Sequence, residues 1–176
     1  MRKLSHRELV ERQNLKQNPL LPFGVLLNNV RSLYNVGSIF RTADGAGLSK
    51  IWLCGITGIP PDSKISKTAL GAENTVPWEY ARQAREVLGR LRKEGWHIVF
   101  LEQTTRSRPY QAFNVQAPVC LVLGNEISGV EENLFCEGDS ALEIEMGGLK
   151  NSLNVTVAFG IVAYHFRHQI LTPVLR

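Results

Sequence analysis

A chain of 176 residues, with 44% hydrophobic and 20% charged positions, suits one globular domain with a sizeable single core. Three scattered cysteines make no disulfide framework, no apolar run is long enough to span a membrane, and the basic start (Met1 to Glu11) lacks the apolar stretch of a secretory signal. A net charge of +4 and free cysteines fit a soluble protein of a reducing cytoplasm.

Residues 1–22 read as a polar, basic lead-in, with a short helix that ends before Pro19 and Pro22. The apolar run Phe23-Gly24-Val25-Leu26-Leu27 reads as a buried strand. A helix follows, because Val36, Ile39, Phe40 and Ala43 recur at helical spacing. At about 3.6 residues per turn Arg41 projects nearly opposite that face. Asn28, Asn29 and Asn35 stand at the mouth of this strand-to-helix element. Asparagine and arginine together suit the holding of a phosphate or a developing oxyanion.

Ile51 to Cys54 reads as a second strand, and Gly55 to Pro77 as a loop rich in Gly, Pro and Ser. Tyr80 to Glu94 reads as an amphipathic helix with Ala84, Val87, Leu88 and Leu91 inside and five cations outside. His97–Leu101 and Val119–Leu123 are further strands, and a short helix is expected near Val130–Cys136. Leu142 to Met146 reads as the last strand, broken by Gly147-Gly148. The final helix starts near Ser152 or Leu153 and is apolar around most of its circumference, so it is buried on several sides, in the core or against another chain. Strands that are apolar throughout and alternate with helices give an α/β fold, a mostly parallel sheet with helices on both faces. Nothing reads as a linker between two domains, and residues 1–176 are expected to form one domain.

In open α/β sheets the ligand lies beyond the carboxyl ends of the strands. Three such ends are unusual here: Asn28-Asn29, Gly124-Asn125-Glu126 and Met146-Gly147-Gly148. Glycines there let a ligand approach the backbone, although each one alone is explained by a turn. Gly45-Ala46-Gly47 lacks the third glycine of a dinucleotide fingerprint. Val130 sits where a P-loop beginning at Gly124 needs lysine. His165 and His168 lie three apart without an evident third ligand, so no metal is expected. Residues 1–113 carry 17 Lys+Arg against 9 Asp+Glu, and residues 114–176 carry 3 against 7. The basic part suits a polyanion such as RNA, while a solvated surface of mixed charge explains the same balance more simply.

Three segments together resemble the SpoU (TrmH-like) branch of the SPOUT superfamily, RNA ribose 2′-O-methyltransferases that use S-adenosyl-L-methionine. Asn28 to Gly47 is similar to its first motif, with N-V-G-x-I-F-R-T-A at Asn35 to Ala43. Leu121 to Gly129 is similar to the second, and Ile144 to Ala158, around Ser152-Leu153-Asn154-Val155, to the third. The resemblance implies a C-terminal deep trefoil knot, a homodimer with sites near the interface, and a tRNA or rRNA substrate. It implies that Leu123, Gly124, Ile144, Met146 and Leu153 hold the cofactor. It implies a catalytic centre of Arg41, Asn35, Glu126, Ser152 and Asn154. Ile127 departs from the second motif, where glycine is frequent, and Glu145 from the third, where proline is usual.

Arginine keeps its proton tightly. Arg41 is therefore expected to clamp a phosphate and stabilise the developing alkoxide rather than act as base. An RNA-binding homologue without activity is the alternative, and an NAD-type oxidoreductase a more distant one. Only about 22 residues precede the first strand, so no separate RNA-binding domain is expected. Arg7, Arg12, Arg106 and Arg108 are the candidate phosphate contacts. The dimer is expected to use Leu153 to Leu171, with Phe166 either at the interface or in the core.

Overall fold

In a computed structural model, residues 1–14 and 20–172 are described. In chain order the elements are α1 (His6–Asn14), β1 (Leu21–Asn28), α2 (Leu33–Ala46), β2 (Leu48–Cys54), α3 (Ser63–Ala69) and β3 (Trp78–Ala81). They continue with α4 (Ala84–Lys93), β4 (His97–Leu101), β5 (Arg108–Pro109), β6 (Val119–Leu123), β7 (Ser140–Glu143) and α5 (Val155–Leu171). Short 3-10 turns lie at Ala72–Asn74, Tyr110–Ala112 and Glu132–Glu137.

The strands form one sheet in the order β3-β2-β1-β6-β4-β7-β5, and every pair is parallel. In its centre β1 runs beside β6, with Phe23 opposite Val119 and Leu27 opposite Leu123. This register brings Asn28 and Gly124, at the two carboxyl ends, to the same edge. On one face Phe23, Val25 and Leu27 pack against Val36, Ile39, Phe40 and Ala43 of α2, Ile65 and Ala69 of α3, and Phe159, Val162 and Phe166 of α5. On the other face α4 lays Val87, Leu88 and Leu91 over Leu26, Ile98, Cys120 and Val122. Cover on both faces is what strands without polar alternation require.

The two helices that matter most are capped by their own sequence. Ser32 caps α2, its side chain accepting from the Asn35 amide. Gly47, at φ 73°, closes α2 in a left-handed turn with its N–H on Ala43 and Asp44. Asn154 caps α5, its Oδ1 accepting from the Thr156 N–H at 2.9 Å. The two helices run side by side in the same direction. Asn154 Nδ2 reaches Asn35 Oδ1 at 3.4 Å at their starts, and Arg167 donates to the Ala46 carbonyl at 2.9 Å near their ends.

Several sequence expectations need correction. The stretch read as loop from Gly55 to Pro77 contains α3 and a 3-10 turn. Only Ile65 and Ala69 are buried in α3, too few apolar positions to show a period, and the helix is set instead by the Asp62 side chain capping Lys64. Tyr80 and Ala81 belong to strand β3 rather than to the next helix, because Trp78 to Ala81 pair with Ile51 to Cys54 at the sheet edge. The last strand spans Ser140–Glu143, and Ile144 to Met146 leave the sheet. A lead-in helix is present as α1, while its expected end before Pro19 falls outside the described residues, and Pro22 lies within β1. Phe166 is fully buried within one chain, between Phe23 at 5.5 Å and Phe113 at 5.6 Å.

Candidate active site

The chain leaves the three neighbouring strands β6, β4 and β7 at the same edge of the sheet, and the loops that follow them wall one cleft of about 600 Å³. That volume is in the range of small-molecule sites, roughly 300–1,000 Å³. Leu101 ends β4 and Glu102 and Gln103 follow it, Leu123 ends β6 and Gly124 to Ile127 follow it, and Ile144, Met146 and Asn151 to Val155 come after β7. The floor is apolar strand end and the rim is polar loop.

Side-chain hydrogen bonds knit these loops to α2. The Glu126 carboxylate accepts from the Arg31 amide at 2.9 Å, the Ser32 amide at 3.0 Å and Asn35 Nδ2 at 2.9 Å. Asn35 in turn meets Asn154, so a continuous chain of polar contacts runs from the second-motif loop through α2 to the start of α5. Asn125 accepts from the Ile127 and Ser128 amides at 2.9 and 3.1 Å and donates to the Asn29 carbonyl at 2.8 Å. Its backbone pairs with Gly129 in both directions, at 3.0 and 2.9 Å. The loop after β6 is therefore a tight, internally bonded turn.

Desolvation works against the charge on Glu126, but the donors from Arg31, Ser32 and Asn35 outweigh it and hold the carboxyl below its ordinary range. A depressed carboxyl stabilises the folded state fully above its unfolded pKa and loses that contribution as pH falls through the folded value. Glu126→Gln should therefore lower the thermal midpoint at neutral pH, and the gap from wild type should close on acidification below the carboxylate range. Melting curves followed by circular dichroism across pH measure this; a gap that is constant with pH would remove the charge from the account.

The structure gathers most of the residues singled out in the sequence. Leu123, Gly124, Ile144, Met146 and Leu153 line the cleft, and so do Glu126, Ser152 and Asn154. Asn35 stands behind the wall and joins it through Glu126 and Asn154. Arg41 is different. It does not line the cleft, it is exposed on the outer side of α2, and it has no ion-pair partner among the described residues.

Asn28 and Asn29 do not form the expected anion cradle. Asn28 is 2% exposed. Asn29, at φ 61°, spends its side chain on the Ile56 amide at 3.0 Å and on Glu131. Gly147 and Gly148 are in open space, whereas Gly124 is pressed against the backbone of Gly129 and Val130. Glu102 and Gln103 are cleft residues that the motifs did not indicate. Glu102 accepts from the Val130 amide at 2.9 Å, and Gln103 donates to the Asn151 carbonyl at 2.8 Å. Their only signal was their place just after the end of β4.

Among the described residues no helix is long and apolar enough to cross a membrane, and no group of three His, Cys, Asp or Glu side chains is placed to hold a metal ion. His165 packs edge-on against Tyr110 at 5.1 Å; burial, and then the nearby His168, lower its pKa.

Comparison with known proteins points the same way as the cleft. A 23S rRNA (guanosine-2′-O-)-methyltransferase of Shewanella oneidensis is 31% identical over 144 residues, covering 82% of this chain and 58% of that protein. The crystal structure of the A. aeolicus TrmH/SpoU tRNA modifying enzyme superposes with a TM-score of 0.79 at 26% identity, over 91% of this chain and 84% of that one. An AdoMet-bound rRNA methyltransferase from Sinorhizobium meliloti gives a TM-score of 0.78 at 30% identity, over 88% and 62%. The chain spans about three fifths of the length of the curated relatives it matches (58%, 64% and 62% of three of them). The model of the SpoU rRNA Methylase family matches residues 22–164, which takes in all seven strands, the cleft and most of α5, and the chain belongs to that family.

Proposed function

We propose that the protein is an S-adenosyl-L-methionine-dependent methyltransferase acting on a ribose 2′-hydroxyl of tRNA or rRNA. The observation that carries this is the convergence of Leu123, Gly124, Ile144, Met146 and Leu153 with Glu126, Ser152 and Asn154 on one cleft of nucleoside size. The residues present fit the cofactor. Strand-end backbone along the cleft at Leu123 and Gly124 suits a nucleoside, and the apolar side chains of Ile144 and Leu153 suit its flat and aliphatic parts. When bound, the cofactor supplies an electrophilic methyl on a sulfonium.

The protein's own residues do the rest. Ser152 and Asn154, on the third-motif side of the cleft, orient the ribose, and Glu126 with Asn35 fixes the loops that carry it. Holding two reactants in near-attack geometry supplies much of the rate in such a transfer. Arg41 clamps an RNA phosphate and stabilises the alkoxide that forms at the 2′-oxygen as the hydroxyl proton passes to solvent. Methylation of unmodified RNA followed by nucleoside mass spectrometry tests the reading: the methyl is expected on ribose, and a methyl on a base would refute it.

The same reading includes the deep trefoil knot, a homodimer and a cytoplasmic setting. The meeting of the loops after β6, β4 and β7 at one cleft supports the knot, together with the likeness to the A. aeolicus structure. The dimer is supported by an uncovered stripe on α5, where Val157 is 49% and Tyr164 52% exposed. Tyr164 lies beside Gly45, on the outer face of α2 that also carries Tyr34, Ser38 and Arg41. A second copy on this surface would place Arg41 near a subunit boundary, which accounts for an arginine that its own cleft does not use.

Tyr164→Glu should then yield a folded monomer with little activity. Phe166→Glu should instead unfold the chain, since its ring is core. Sedimentation with circular dichroism separates the two, and a Tyr164→Glu protein that keeps the wild-type mass would place the interface elsewhere.

A further inference from the structure

We infer that Ile127 and Leu149, exposed aliphatic side chains on the two cleft loops that follow β6 and β7, grip a nucleobase of the RNA, with Arg31, Arg106 and Lys150, on segments joined to those loops, taking its phosphates. The inference rests on the RNA reading above and names which part of the surface meets the nucleotide.

Ile127 is 83% exposed and Leu149 fully exposed, and both stand on loops held by side-chain hydrogen bonds. Ile127 stands on the turn that Asn125 fixes through its amide and that of Ser128. The loop carrying Leu149 is tethered just beyond it, where Gln103 donates to the Asn151 carbonyl. A single exposed aliphatic residue is ordinary. Here Ile127 lines the cleft, and Leu149 stands between two residues that do, Met146 and Asn151, which makes the pair a prepared apolar contact. Among the described residues nothing covers them, and the deeper apolar lining at Leu123 and Leu142 is already buried.

Charge identifies the occupant. Arg31 precedes the helix that Glu126 anchors, Arg106 lies in the turn after β4, and Lys150 follows Leu149. All three are exposed, and none has an ion-pair partner among the described residues. The carboxylates nearby are engaged: Glu126 on α2, Glu102 on the Val130 amide, Glu143 on the Ser107 hydroxyl, and Glu131 on Asn29. Only Glu145 remains exposed on the same segment without a described partner. Apolar tips among free cations match an unstacked base flanked by phosphates, the arrangement by which proteins wedge or hold single bases. A cofactor alone would need no cations outside the cleft, and a purely apolar partner would not favour them.

The test measures filter binding of unmodified tRNA and rRNA transcripts, beside methyl transfer to them, for wild type, Ile127→Ser, Leu149→Ser and Ile127→Val. Each serine variant should weaken RNA binding about fivefold to tenfold, the size of losing one aliphatic contact, and the double variant more, while Ile127→Val stays near wild type. Cofactor affinity by calorimetry should fall less than RNA affinity, because both side chains are largely exposed, and mass by sedimentation should not change. Unaltered RNA affinity in the double variant would overturn the inference. So would a loss confined to cofactor binding, or a change of oligomeric mass, which would make the pair a cofactor or subunit contact. Weakened RNA binding in a protein that transfers no methyl would uphold these contacts and remove the enzymatic reading, and a wild type that binds no RNA would remove both.

Discussion

Arg41→Ala should lower methyl transfer by about 10²–10³-fold, the loss seen when one donor to a developing oxyanion is removed. The fold should survive, since Val36, Ile39, Phe40 and Ala43 carry the buried face of α2 and Arg41 lies away from it, exposed. Cofactor affinity should also survive, because Arg41 contributes nothing to the cleft wall. The variant therefore separates two functions that usually fail together. Arg41→Lys should recover only part of the rate, as an ammonium keeps the charge but not the planar pair of donors that fits a phosphate. Calorimetry with cofactor alongside single-turnover transfer reads both quantities. Full turnover in the alanine variant would take Arg41 out of the mechanism and leave it a solvated helix arginine.

Arg41 also shows how far one sequence can carry a site. Its direction was legible because a 3.6-residue period fixes which side chains oppose the apolar face. Its place relative to Ser152 and Asn154 was not, since those residues are more than a hundred positions away and only the folded chain shows Arg41 standing outside the cleft they line. The strands β1, β4 and β6 were legible for a related reason: buried on both faces, they leave unbroken apolar runs. The edge strand β3 and the two-residue β5 have fewer neighbours and mixed residues, and carry no such mark. Helix α3 is written in a cap and two buried positions, below what periodicity can detect. Asn29 misled because donors and acceptors serve loops as readily as ligands. Asn29 and Asn125 bind backbone, and what they build is the rigidity of the loops rather than the site's own contacts.

Gly124→Ala should weaken cofactor binding strongly while leaving the sheet intact. The sequence suggested that glycines at the strand ends make room for a ligand. At Gly124 the room is taken by the protein itself, because a Cβ there would collide with the Gly129 carbonyl and the Val130 amide. Neither is the end of a flexible side chain, so the backbone must move. Movement is opposed by the paired bonds between Asn125 and Gly129 and by Glu102 on the Val130 amide. Overpacking against fixed backbone costs about 1–3 kcal/mol, and here the turn can relieve it only by opening. Opening displaces the Gly124 and Glu126 side of the cleft and loosens the hold of Glu126 on α2, so affinity for S-adenosylmethionine should fall by about 100-fold, some 2.7 kcal/mol. Gly148→Ala is the control. That glycine has no atom near its missing Cβ and no left-handed φ, so the same substitution there should leave affinity and melting unchanged. Cofactor calorimetry on both variants, with near-wild-type far-ultraviolet circular dichroism as proof of folding, decides the matter. Equal binding by the two would mean that the turn after β6 does not shape the cofactor site.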